Sequence, residues 1–158
     1  MDKEQKKEQR ILEVESWRSF LSFHADVMFQ IEKEMSLAGL IPLAWYDVLI
    51  VLEQSREKKR TLGELSKKCL LTKSGISKIM NTLEKEKLVT RYKNQDDGRS
   101  YYAEITEKGS NLVKKAWVKY KECIYKYFID NLSKEEQTNL RIIFQRLKEN
   151  LSKETSFT

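Results

Sequence analysis

One proline, five glycines and one histidine in 158 residues leave little material for a many-stranded fold, a glycine-rich phosphate cradle or a histidine-based catalytic centre. No combination of nucleophile, base and orienting group stands out, so no enzyme activity and no cofactor are expected. The two cysteines, Cys69 and Cys123, are too few and too far apart for a disulfide framework, and reduced thiols are the expectation. Together with the single histidine, His24, they make a poor start for a zinc site, which needs several ligands brought together, and no metal is expected. No apolar run approaches the roughly 20 residues that cross a bilayer. The opening MDKEQKKEQR also lacks the hydrophobic middle of a secretion signal, so a cytoplasmic protein with no membrane partner is expected.

Charge and long amphipathic stretches are what the chain has in quantity: 34 % of residues are charged and 40 % hydrophobic, a composition suited to one mostly α domain built on long helices. The formal net charge is +6, yet the window from Arg56 to Tyr101 alone carries 13 Lys or Arg against 6 Asp or Glu, leaving about one net negative charge elsewhere. A locally basic lobe is the electrostatic footprint of a nucleic-acid partner; a solvated lysine-rich surface reads the same way from charge alone.

From Ile11 to about Ala38, Trp17, Phe20, Leu21, His24, Val27, Met28, Ile31 and Met35 recur at helical spacing and predict one wide buried stripe, with Gly39 ending the helix. Pro42 suits the first turn of a second helix that carries Ala44, Trp45, Val48, Leu49 and Leu52 inward. A charged linker from Ser55 to Arg60 follows. Thr61-Leu62-Gly63-Glu64 has the capping-box pattern and opens a short helix. Leu70-Leu71-Thr72 turns the chain, and Thr72 caps the next helix, giving the helix-turn-helix spacing.

In that next helix Ile76, Ile79, Met80 and Leu83 share one face, while Lys73, Ser74, Ser77, Lys78 and Asn81 share another that is free to read a ligand. Gly75 breaks a propensity rule there and offers close backbone approach, either to a phosphate or to the preceding helix. Val89 to Lys93 reads as a strand, Asn94 to Ser100 as a turn, and Tyr101 to Ile105 as the returning strand. This is the element order of a winged helix. Thr106 caps a long helix carrying Leu112, Val113, Ala116, Trp117, Tyr120, Cys123, Ile124 and Tyr127 inward. A second capping box, Ser133 to Glu136, opens a last helix whose Leu140, Ile143, Phe144, Leu147 and Leu151 repeat like a coiled-coil seam. The first helix and the last two offer more apolar stripe than the small lobe between them could cover, and pairing with a second copy is the simplest remedy.

The stretches LAWYDVLIVLE, TLGELSKKCLLTKSGISKIMNTLEKEKLVTR, the wing DDGRSYYAEITEKG and the later LSKEEQTNLRIIFQRL together resemble the MarR family of bacterial transcription regulators, nearly end to end. The resemblance implies a mostly α fold (an α+β winged helix) with a helical dimerisation region at 11–40 and 107–152 and a winged helix-turn-helix lobe at 42–106. It implies a homodimer that binds double-stranded DNA, and a repressor acting at a pseudo-palindromic operator is expected. Asp97 and Arg99 match the wing motif, where the Asp braces the Arg and the Arg enters the minor groove; Ser74, Ser77, Lys78 and Asn81 match the groove-facing side of the recognition helix. Physical reasoning adds that Asn and Lys suit major-groove bases, that Arg99 suits a narrow minor groove, and that Lys73, Lys78, Arg91 and Lys93 are placed to hold phosphates.

Trp17, Phe20, His24, Trp45, Trp117 and Tyr120 are, as a group, candidates for a crevice that takes a small aromatic or anionic ligand, as the resemblance implies; for any single one of them core packing is the better reading. Cys69 follows Lys67 and Lys68, which favour a reactive thiolate, whereas its place beside Leu70 and Leu71 favours packing. An alternative function is a winged helix that docks onto an acidic protein partner, since fold does not fix function.

Overall fold

In the computed structural model, which describes residues 3–69, 72–94 and 100–155, the elements run α1 (Lys3–Leu37), α2 (Leu43–Glu53), β1 (Lys59–Thr61), α3 (Leu62–Lys68), α4 (Lys73–Lys85), β2 (Val89–Lys93), β3 (Tyr101–Ile105), α5 (Glu107–Tyr127) and α6 (Lys134–Thr155). The fold is mostly helical with one three-stranded antiparallel sheet ordered β1-β3-β2, as expected for a winged helix. The chain divides into two compact units, Met1–Tyr120 and Lys121–Thr158.

In the first unit, helix ends are set by local chemistry. Gly39 adopts φ +66° after α1, and Leu40 N–H reaches back to the Met35 carbonyl at 3.0 Å. That left-handed residue costs glycine nothing, which is why the helix stops there. Pro42 is the residue before α2 and supplies no side-chain cap; the Leu43 N–H donates instead to Glu32 Oε2 of α1 at 3.0 Å. The capping box of α3 is present in both directions, with Glu64 N–H on Thr61 Oγ1 at 3.2 Å and Thr61 N–H on Glu64 Oε2 at 2.9 Å.

The core of this unit is built from Ile31 and Met35 of α1, Val48, Leu49 and Leu52 of α2, Leu65 of α3, Ile76, Met80 and Leu83 of α4, and Val89, Ala103 and Ile105 of the sheet, all buried. Several inward assignments need correction. Trp17 is 59 % exposed, and Phe20, Leu21 and His24 are also exposed, so among the described side chains the stripe on α1 is buried near its C-terminal end, at Ile31 and Met35. In α2, Ala44 faces solvent and Trp45 is half-buried, while Tyr46 is buried in their place. Trp117 of α5 is exposed as well. Periodicity shows which face of a helix is apolar, but it does not say whether the same chain supplies the cover.

The linker from Ser55 to Arg60 is also more ordered than expected. Lys58 takes φ 53°, and Lys59, Arg60 and Thr61 then pair with Glu104, Ala103 and Tyr102. Three residues with no apolar alternation give no strand signal; the open edge of β3 makes this strand by offering backbone partners. The predicted strands β2 and β3 are found with their expected bounds, in register Val89↔Ile105 and Arg91↔Ala103.

The second unit holds the end of α5, a single 3-10 turn at Ile129–Asn131 and α6. Its predicted capping box is formed: Glu136 N–H donates to Ser133 Oγ at 3.3 Å and Ser133 N–H to Glu136 Oε2 at 2.8 Å. Gln137 Nε2 donates to the Ile129 and Leu132 carbonyls at 3.2 and 3.0 Å and fastens the turn to the start of α6. Ile143, Phe144, Leu147 and Leu151 of α6 are exposed.

Candidate nucleic-acid interface

Helix α4 is positioned from below by its apolar face and from its N-terminus by Thr72. Ile76, Met80 and Leu83 are buried with at most 1 % exposure, whereas Ser74, Ser77, Lys78 and Asn81 are exposed. Thr72 Oγ1 accepts from Gly75 N–H at 3.1 Å, satisfying one of the orphan donors of the first turn. Ser74 Oγ lies 3.1 Å from Thr72 Oγ1. Lys73 begins the helix, but its side chain lies outside the described residues, as do Leu70 and Leu71 of the expected turn. The result is a helix clamped on one face, with hydroxyl, amide and ammonium groups on the other.

The wing is a hairpin pinned at its base. Asn94 N–H donates to the Ser100 carbonyl at 2.9 Å, and Asn94 Nδ2 donates to Ser100 Oγ at 3.0 Å. Lys93 is exposed at the end of β2. Asp97 and Arg99 lie outside the described residues. Arg91, expected to hold a phosphate, is paired with α4: its Nε donates to Glu84 Oε2 at 2.8 Å and its Nη2 donates to the same oxygen.

The junction of α4, wing and α5 is tied by residues that pattern reading did not single out for this role. Lys87 takes φ 59° as the chain leaves α4, and Leu88 N–H returns to the Leu83 carbonyl at 2.9 Å. Thr106, expected only as a cap, donates through Oγ1 to the Lys87 carbonyl at 2.9 Å and accepts from Gly109 N–H at 3.1 Å. Lys108 Nζ donates to the Glu86 carbonyl at 2.7 Å. The Thr-Glu-Lys-Gly run thus serves as a fastening for the end of α4, and at its glycine a side chain has no room. A Cβ on Gly109 would lie 2.3 Å from the Leu88 oxygen. On the other side of the junction Ser110 Oγ donates to Glu53 Oε2 at 2.5 Å, and Lys58 Nζ meets Glu53 Oε1 at 3.0 Å. The Ser110 hydrogen bond, with Lys58 beside it, holds the Glu53 carboxyl below its usual range despite burial.

Five of the six aromatic and imidazole candidates for a ligand crevice fall into two separate sets of ring contacts, and the sixth, Trp45, is half-buried on α2. Trp17, Phe20 and His24 follow one another along α1, with ring centroids 5.8 and 6.3 Å apart. Tyr120 meets Tyr46 edge-on at 5.2 Å and Trp117 at 6.1 Å. Burial, with Tyr120 and Asp47 nearby, pushes the Tyr46 hydroxyl up to about 12. Burial and then Asp47 also push the Cys69 thiol up to about 11, so the neighbouring Lys67 and Lys68 do not produce a reactive thiolate. Cys123 is fully buried. Among the described residues no group of His, Cys, Asp or Glu is arranged to hold a metal ion, and no helix is long and apolar enough to cross a membrane.

A capped helix pair, a helix with an open polar ridge and a pinned hairpin define a winged helix-turn-helix. Residues 39–100 match the model of the MarR family, in agreement with the resemblance that the sequence carries. The chain is 28 % identical over 92 residues to the HTH-type transcriptional regulator PchR of Bacillus subtilis (strain 168), a match covering 57 % of this chain and 54 % of that protein. It thus spans about half the length of this curated relative. Among solved structures it is similar to AbsC, a MarR family transcriptional regulator from Streptomyces coelicolor, with 26 % identity and a TM-score of 0.79 over 87 % of this chain and 92 % of that one. It shares its fold with Sco3205 from the same organism, a MarR family regulator solved in complex with DNA, with 24 % identity and a TM-score of 0.80 over 86 % of each chain.

Proposed function

We propose that the chain is a homodimeric, sequence-specific DNA-binding regulator of transcription, working in the cytoplasm as a repressor that occludes a promoter. The observation that carries this reading is the ridge of Ser74, Ser77, Lys78 and Asn81, open to solvent on a helix whose opposite face is locked in the core. A helix with such a ridge fits the major groove, where Asn81 suits adenine and Lys78 suits guanine or a phosphate. Lys73 and Lys93 add phosphate contacts, and Arg99, braced by Asp97, reads the adjacent minor groove. The DNA lobe is 42–106. A structure of the relative Sco3205 bound to DNA supports the same use of the fold here.

Dimerisation through 11–40 and 107–152 follows from apolar surface that one copy leaves open. Trp17, Phe20 and Leu21 on α1, and Ile143, Phe144 and Leu147 on α6, are each more than 40 % exposed. Exposed large apolar residues at helical spacing on two long helices mark association surfaces. A two-fold dimer presents its recognition helices to successive major grooves roughly 34–36 Å apart, hence a pseudo-palindromic operator. A small aromatic or anionic ligand that meets Trp17, Phe20, His24, Trp45, Trp117 or Tyr120 modulates affinity. An oxidant is a poorer modulator, given the raised Cys69 thiol and the buried Cys123.

Fluorescence anisotropy against random and selected duplexes across a salt series tests the proposal. Steep salt dependence and preference for the selected site are expected, with Asn81→Ala relaxing base preference and Arg99→Ala weakening binding to A·T-flanked sites. Little duplex binding with a shallow salt slope would point instead to a module that docks on an acidic protein.

A further inference from the structure

We propose that Glu84 and Arg91 form a brace that sets the wing against the recognition helix, making Arg91 a positioning residue for DNA binding rather than a phosphate contact. The inference rests on the DNA-binding reading above. Glu84 follows Ser77 by seven residues, two turns along the same side of α4, and so lies at the border between the polar ridge and the buried face. Arg91 is the middle residue of β2, on the strand face that also carries Val89, and its cross-strand neighbour Ala103 is buried. From there its guanidinium turns back to α4. Nε donates to Glu84 Oε2 at 2.8 Å and Nη2 donates to the same atom.

Two donors from one rigid guanidinium on one carboxylate oxygen restrict both distance and angle, which a lysine at the same site could not do. The side chains are 26 % and 39 % exposed, so the pair is partly shielded from mobile salt. The backbone route between the two elements is the turn through Lys87, itself held by Thr106 and Lys108. That turn anchors one end of β2, and the Glu84–Arg91 contact anchors its middle. The end of β2 that leads into the wing tip is thereby aimed relative to Ser77 and Asn81.

Charge makes the idea easy to test. An unpaired carboxylate beside a groove-reading ridge repels a polyanion, so deleting its charge strengthens binding; a carboxylate that aims the wing does the opposite. Full-length wild type and the variants Glu84→Gln, Arg91→Lys and Arg91→Ala are titrated by fluorescence anisotropy onto a duplex selected by the wild-type chain from a randomised pool. Each variant is expected to bind about tenfold more weakly. Each should keep the wild-type slope of log K against log salt, whereas losing a phosphate contact lowers its magnitude by about 0.9. The double variant Glu84→Gln/Arg91→Ala is expected to bind no worse than the weaker single one. Tighter binding by Glu84→Gln, or a salt slope lowered by one phosphate contact in Arg91→Ala, overturns the brace.

Urea denaturation of the same set gives a readout without DNA. Coupling between the two positions is expected, so that the double variant loses less than the two single losses added, and strict additivity overturns the brace. Should the wild-type chain select no duplex, the DNA-binding reading fails while this coupling still decides whether the brace exists. Should Arg91→Ala fail to fold, Glu84→Gln with Arg91→Lys carries the same comparison.

Discussion

Replacing Gly109 by alanine sets two effects of opposite sign against each other. Inside an α-helix the change normally gains about 1 kcal/mol, because alanine is the better helix former. Here the new methyl carbon would sit 2.3 Å from the Leu88 carbonyl oxygen and 2.7 Å from Ile105 Cγ1. The Ile105 side chain can rotate away, but the Leu88 oxygen cannot readily retreat. It accepts from Thr106 N–H at 3.0 Å and from Thr106 Oγ1 at 3.1 Å, and Leu88 is buried between α4 and β2. Overpacking costs of about 1–3 kcal/mol are usual where side chains can yield, and a pinned backbone group belongs at the upper end of that range or above it. After the propensity gain is offset, a net loss of about 2 kcal/mol is expected, which for a chain of this size lowers the midpoint by roughly 4–8 °C. Thermal and urea denaturation at matched protein concentration measure it, since association would otherwise contribute to the midpoint. A variant as stable as the wild type, or more so, would show that the α5 start is not packed onto the α4–β2 turn as described.

Lys87→Gly should act in the opposite direction, because φ 59° suits glycine and strains a lysine. A gain of about 0.5–1 kcal/mol in urea denaturation is expected, and a loss would mean that the side chain is doing something the backbone angle conceals. The Cys69 thiol, raised from 9.0 to about 11, should react slowly with iodoacetamide near neutral pH compared with the unfolded chain, and rapid alkylation contradicts its shielding. Since its folded value lies above the unfolded one, the neutral thiol's contribution to stability is complete below pH 9.0 and is lost as pH rises through about 11, and Tyr46 does the same between 10.0 and about 12. Chemical denaturation should therefore show stability falling across this alkaline window, and a flat profile there would count against both assignments. Phe20→Glu combined with Leu147→Glu should leave a monomer in analytical ultracentrifugation, and an unchanged dimer would place the association surface elsewhere.

Helix starts were legible in the amino-acid order because a cap is a local event. Thr61 with Glu64, Thr72, Thr106 and Ser133 with Glu136 each act within three residues, and every one is found in its expected role. The strands at Val89–Lys93 and Tyr101–Ile105 were equally plain from alternation and turn chemistry. The polar ridge of α4 followed from helical periodicity alone. β1 was not legible, because Lys59-Arg60-Thr61 becomes a strand only by pairing with a β3 edge that lies more than forty residues away.

Local spacing by itself determined this protein's winged-helix order, its caps and the side of α4 that faces outward, since those depend on interactions a few residues apart. Only tertiary structure decided that Trp17, Phe20 and His24 stand in solvent, that Arg91 turns back onto Glu84, and that Gly109 must lack a side chain. These outcomes depend on which surfaces meet after the helices form, and periodicity carries no information about a partner that arrives from another part of the chain.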